Sequence, residues 1–210
     1  MTDAAKFWDK IAPKYAKDPI SDMAAYEYTL GRTKSYLKPD DRVLELGCGT
    51  GSTALLLAPD VREIVGTDVS QGMIDIAREK AKAAGKENTD FRVAGADDAA
   101  KMSEVFDVVL GFNLFHLVED AEAIFADLHR MLPVGGHFIS KTPCLGDKSF
   151  GWKRFPIRAV IPLMQWIGKA PFVRFMAQKE LEVAITFAGF EIVESGSFPA
   201  ISRYIVAKRV

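Results

Sequence analysis

Val43 to Ser52, VLELGCGTGS, sets the architecture expected of this chain. A short strand-like run through Leu46 stops in alternating glycines at Gly47, Gly49 and Gly51. Such glycines let the backbone turn sharply and approach a ligand with no Cβ in the way. Residues 52–58 then read as a helix, so a helix N-terminus points at the same spot. The spacing is GxGxG, not the GxGxxG of a dinucleotide-binding loop.

Downstream the pattern alternates. REIVGTDVS (62–70) predicts a buried strand ending in Asp68, 21 residues beyond Gly47. A carboxylate at that strand tip can accept hydrogen bonds from both ribose hydroxyls of an adenosine ligand. Its alternative role is to cap the next helix, for which Ser70 is better placed. A helix over 71–84 carries Met73, Ile76, Ala77, Lys80 and Ala81 at helical spacing, and Gly85 closes it. Met73 is open to adenine packing or to ordinary helix packing. A strand follows at 89–94, and the apolar run 105–111 suits a central parallel strand covered on both faces. Ligands bind beyond the carboxyl ends of such strands, which places Phe112, Asn113, Leu114, Phe115 and His116 around a site. A helix over 120–132, a turn LPVGG and a strand over 135–142 complete five strand–helix units. After a helix over 179–188, strands 190–197 and 201–208 are joined by about three residues, too few for a crossover. The expectation is an α/β, doubly wound seven-stranded sheet, mostly parallel with an antiparallel last strand and helices on both faces.

ELGCGTG (45–51) resembles motif I of the class I S-adenosylmethionine (SAM)-dependent methyltransferases, in their small-molecule group (methyltransferase type 11). FWDKIAPKY (7–15) resembles the segment that lids the cofactor there, although Pro13 should kink that helix. FNLFH (112–116) resembles the family's motif IV region, and LPVGG its LKPGG turn. The resemblance implies SAM as cofactor, S-adenosylhomocysteine as product, no metal, and a small-molecule methyl acceptor. SAM carries a sulfonium and an ammonium, so Glu45, two residues before the first glycine, suits it better than a pyrophosphate. The implied cofactor contacts are Glu45, Gly47, Cys48, Gly49, Gly51, Asp68, Val69, Met73, Ala96, Asp97, Asn113 and Leu114. One departure stands out: relatives carry Asp-Ala where this chain has Gly95-Ala96, leaving Asp97 or Asp98 to meet the adenine amino group.

Methyl transfer from a sulfonium is an in-line displacement that needs positioning more than acid–base machinery. If the acceptor is a hydroxyl, His116 or Tyr15 is the candidate base; His116 can equally be a backbone-bonded structural residue. The segment 143–178 is the expected acceptor-binding insertion, with Trp152, Phe155, Trp166 and Phe172, together with Phe115, as pocket residues. Its aromatics can instead cover the sheet edge. With Lys153, Arg154, Arg158, Lys169 and Arg174 they can also form a basic amphipathic surface that touches a membrane and admits a lipid-like acceptor. Cys144 at the end of the fifth strand sits where RNA cytosine methyltransferases place a nucleophile, but the second Pro-Cys is missing and a small core residue is the simpler reading. One domain is expected: 1–40 as lid helices, 41–142 as cofactor core, 143–178 as insertion, 179–210 as closing helix and hairpin.

The 210 residues carry a net charge of −1, which argues against a general nucleic-acid binder. Two cysteines make neither a disulfide framework nor a metal cluster. No secretory signal and no apolar run of membrane-spanning length is evident, so a cytoplasmic setting is expected. Two other classes stay open: a nicotinamide oxidoreductase, which predicts the GxGxxG that is missing, and a SAM-binding protein without transfer activity.

Overall fold

The computed structural model describes residues 3–210, without the side chains of Lys153, Arg154 and Ala159; the two bases of that trio therefore lie outside the described side chains. Seven strands form one sheet: β1 Arg42–Leu46, β2 Glu63–Asp68, β3 Thr89–Val93, β4 Val108–Phe112, β5 His137–Pro143, β6 Phe190–Ser197 and β7 Ser202–Arg209. Their spatial order is β3-β2-β1-β4-β5-β7-β6. Pairings from β3 to β5 are parallel, and β7 runs antiparallel to both β5 and β6. The short β6–β7 connection forces that reversal, as the sequence leads one to expect.

Helices cover both faces. On one lie α5 (Ala96–Ala99), α6 (Ala121–Met131) and α8 (Gln178–Phe187), over a core that includes Leu44, Leu46, Phe106, Phe115, Phe125 and Phe138. On the other lie α2 (Met23–Lys34), α3 (Ser52–Leu57) and α4 (Gln71–Ala83), over Val43, Ile64, Ile74, Leu110, Ile139 and Tyr204. Strand alternation explains the split, since successive residues of β1 and β5 enter opposite cores. Helix starts follow local chemistry. Asp22 accepts the Ala25 amide at 2.9 Å, Ser70 the Met73 amide at 3.1 Å and Asp120 the Ala123 amide at 2.9 Å.

Three local expectations are adjusted. The first helix, α1 (Asp3–Tyr15), runs past Pro13 for two residues, because a proline in the last turn deletes only a terminal hydrogen bond. The fourth strand begins at Val108 rather than Val105, whose side chain is exposed. The insertion 143–178 contains a helix, α7 (Arg154–Trp166), with Pro162 inside it. Among the described residues no helix is long and apolar enough to cross a membrane.

Candidate cofactor and methyl-transfer site

The carboxyl ends of β1 to β4 open on a cavity of about 550 Å³. Its floor is the β1 loop, where Gly47, Gly49 and Gly51 all have positive φ (62°, 54° and 72°). A Cβ at Gly47 would stand 2.8 Å from Leu114, and one at Gly51 2.8 Å from Phe91 and 2.9 Å from Ala77. Positive φ favours glycine at all three positions, and at Gly51, against Phe91 and the Ala77 Cβ, space requires it as well.

Asp68 closes the next strand. It accepts the Gly49 amide at 3.0 Å and the Ser70 amide at 2.9 Å, so one carboxylate ties the glycine loop to the tip of β2. Burial raises its pKa against the pull of those amides. Val69 and Met73 extend the same wall, and Ala96 and Asp97 bound the cavity beyond β3. Asn113 and Leu114 bound it beyond β4. Asn113 is the one described non-glycine residue at positive φ, 54°, and its amide donates to the Lys141 carbonyl at 2.7 Å. Trp8 and Tyr15 of α1 line the cavity too, ring centroids 6.2 Å apart, and Tyr15 approaches Gly49.

Three of the expected cofactor residues do not face the cavity. Cys48 is buried beneath the loop against Gly66, its thiol pKa raised by that burial, and Gly51 is packed on Phe91. Glu45 is only 3% exposed and points with Val43 toward α2 and α3. It accepts the Ala54 amide, while its Oε2 has no hydrogen-bond partner among the described residues. Burial, reinforced by Asp68, pushes its pKa up to about 8.

The expected catalytic and acceptor residues scatter. Tyr15 is in the wall, its pKa raised by burial and by the charges of Asp68 and Glu45. His116 lies in a short 3₁₀ turn, Phe115–Leu117, outside the wall; its carbonyl accepts the Arg174 amide at 2.7 Å, and its Nδ1 has no partner among the described residues. Burial lowers its pKa to about 4, so the imidazole is neutral at pH 7. Phe115 is a correction: it belongs to the core, fully buried against Phe125 and Phe138, in the slot that Gly111 leaves on β4. Trp152, Phe155, Trp166 and Phe172 are exposed and do not line the cavity. Trp166 is 83% exposed. Arg174 is not a free base, since it is ion-paired with Glu122 at 2.5 Å.

The wall also includes Phe112, which the sequence placed around the site, and Ala4, Leu117, Val118, Glu119, Asp120 and Ile124, which sequence reasoning missed. The signal for Leu117 to Asp120 was their place just past the end of β4; Ala4 on α1 and Ile124 on α6 carried none.

These residues fit SAM. Gly47 and Gly49 bring bare backbone to the cavity, the rim carries Asp68, Asp97, Glu119 and Asp120, and an orphaned carboxylate oxygen lies behind the loop; the carboxylates suit a cationic ligand. Among the described residues no cluster of metal-ligating side chains occurs.

Comparisons with known proteins agree. A family model described as a methyltransferase domain matches residues 43–136. The ubiquinone biosynthesis O-methyltransferase of Ruegeria pomeroyi is 30% identical, over 93% of this chain and 81% of that protein. Its namesake from Ruegeria sp. is 28% identical, over 98% of this chain and 87% of that one. Among solved structures, the [4+2]-cyclase SpnF superposes with a TM-score of 0.76 over 98% of this chain and 94% of that one; at 18% identity that likeness concerns the fold. Glycine loop, sheet order and relatives converge: the chain belongs to the class I S-adenosylmethionine-dependent methyltransferases.

Proposed function

We propose that this enzyme methylates a hydroxyl oxygen of a small, largely apolar acceptor. The observation that carries the reading is the cavity at the ends of β1 to β4, roofed by the aromatic rings of α1 and bounded by Leu114, Leu117 and Ile124. The O-methyltransferase relatives of ubiquinone biosynthesis support oxygen as the acceptor atom. Bound SAM supplies an activated methyl group on a positively charged sulfur. The protein's part is to hold the cofactor, orient the acceptor and exclude water. In this reading Asp68 holds the ribose, Gly47 and Gly49 let the backbone approach, and Glu45 balances the cationic end. Val69, Met73, Ala96 and Asp97 surround the adenine, and Asn113 and Leu114 bound the reacting end. Residues 1–40 form the roof, 41–142 the cofactor core, 143–178 the acceptor side and 179–210 the closing helix and hairpin. Of the two proton-handling candidates, His116 is neutral but outside the wall, whereas Tyr15 is in the wall but keeps its proton at pH 7.

A second reading concerns delivery of the acceptor. Trp152, Phe155, Val160, Leu163 and Trp166 are exposed on or beside α7, with Arg158 among them. Such a face suits peripheral contact with a lipid surface.

Incubation with SAM and a panel of hydroxyl, amine and thiol acceptors, reading S-adenosylhomocysteine, tests the assignment. Turnover confined to amines or thiols overturns it. Co-sedimentation with anionic vesicles that persists in a Trp152/Trp166→Ser double variant overturns the lipid contact.

A further inference from the structure

The cofactor-side residues follow the strands across the sheet: the glycine loop after β1, Asp68 on β2, Ala96 beyond β3, Asn113 beyond β4. The next strand in the order is β5. Its carboxyl end carries Lys141, in register with the cavity residue Phe112 on one side and Tyr204 on the other. Strand alternation puts Lys141 on the same face as Ile139, and registered residues of parallel strands share a face. Glu45 and Lys141 therefore share the α2 face, two strands apart, with Lys141 two residues further along than Ile139, the residue level with Glu45.

Lys141 is 9% exposed. Among the described residues its ammonium makes one hydrogen bond, 3.4 Å to the Thr29 hydroxyl, which itself donates to the Ala25 and Tyr26 carbonyls. An ammonium has three donors. No carboxylate lies within ion-pairing distance among the described residues; Asp22 at the head of α2 acts only from afar, and Tyr204 spends its hydroxyl on Thr33. Burial lowers the pKa of Lys141. A buried cation with spare donors is retained at a cost in stability, which points to an anionic partner supplied from outside the chain. The electrostatics divide accordingly: carboxylates around the cavity, and one ammonium on the next strand, outside the cavity wall but flanking its residue Phe112.

We propose that Lys141 binds the reacting oxygen of the methyl acceptor, a phenolic or enolic hydroxyl held as its oxyanion. This rests on the O-methylation reading above. The hydroxyl proton leaves to solvent water as the oxyanion pairs with the ammonium. The oxygen then bonds to the methyl carbon while the carbon–sulfur bond breaks, its electron pair staying on sulfur; the lysine keeps its three protons.

The test uses 4-nitrocatechol, whose colour reports its ionisation, with the protein saturated in S-adenosylhomocysteine. On the wild type the bound probe is expected to ionise about one pH unit lower than free probe. In Lys141→Met that shift is lost and probe affinity falls about tenfold, while S-adenosylhomocysteine affinity is unchanged and the melting temperature is equal or higher. Lys141→Arg keeps part of the shift. The assignment is overturned by a wild type that binds no probe, by a Lys141→Met variant with an unchanged shift, or by one that loses melting temperature and S-adenosylhomocysteine affinity together. Methylation of the probe with equal kcat/KM in Lys141→Met also overturns the lysine assignment but leaves O-methylation standing. Transfer confined to amines or thiols overturns both.

Discussion

The Asp9 carboxylate of α1 accepts the Ser70 hydroxyl at 2.6 Å and the Gly72 amide at 2.9 Å. Ser70 in turn donates its amide to Asp68. The aromatic roof and the Asp68 carboxylate are thus joined through one serine. The Ser70 hydroxyl and the Gly72 amide hold the Asp9 pKa down, which favours the charged, bonded form.

Asp9→Ala removes that link and frees the first turn of α4. Loss of a capping carboxylate typically removes about 0.5–2 kcal/mol. SAM affinity should fall alongside stability, since Trp8 and Tyr15 ride on α1. Urea melts and calorimetric titration of S-adenosylhomocysteine measure the two losses; unchanged affinity would separate the roof from the site.

Asp68→Ala is expected to weaken SAM binding by about 1–3 kcal/mol, the scale for a lost charged hydrogen bond. It also releases the Gly49 amide, so loop amides should exchange faster in hydrogen exchange. An unchanged dissociation constant would remove Asp68 from the ribose role.

Glu45 gives a pH signature. Its pKa is raised to about 8 in the folded protein, so the folded state holds a proton that the unfolded state gives up above the ordinary carboxylate range. Its contribution to stability is full at low pH and declines as pH rises toward 8, by up to about 1.4 kcal/mol per unit. A cationic ligand prefers the ionised form, so SAM affinity should rise over the same window. Glu45→Gln should flatten both trends, in melts and titrations from pH 6 to 9.

Asn113 holds a left-handed conformation at the cavity rim. Asn113→Gly should preserve stability within a few tenths of a kcal/mol, whereas Asn113→Val should lose about 1–2 kcal/mol to strain. Comparing kcat of the glycine variant with wild type then isolates the amide group. Equal stability of the two variants would contradict the strain.

The cofactor half was legible because it rests on backbone demands. A loop that needs positive φ three times must be written in glycine, and a strand tip that gathers amides must be written in carboxylate. The acceptor half rests on which side of an apolar residue is covered, and periodicity does not carry that. Phe115 fits a pocket wall and a core equally well until Gly111 offers it a slot. The aromatics of α7 follow a helical period whichever face meets protein. Lys141 is one basic residue in the strand HFISKTP, and only the register with Phe112 and the approach of Thr29 give it a setting.

The enclosed glycines of the β1 loop have a thermodynamic consequence. Glycine loses more freedom on folding than any other residue, yet Gly47 and Gly51 are held against Leu114, Phe91 and Ala77, and the Gly49 amide is fixed by Asp68. The loop's ordering entropy is therefore spent when the chain folds. A cofactor arriving later meets a preorganised surface, and its binding free energy is spared that expense at every turnover.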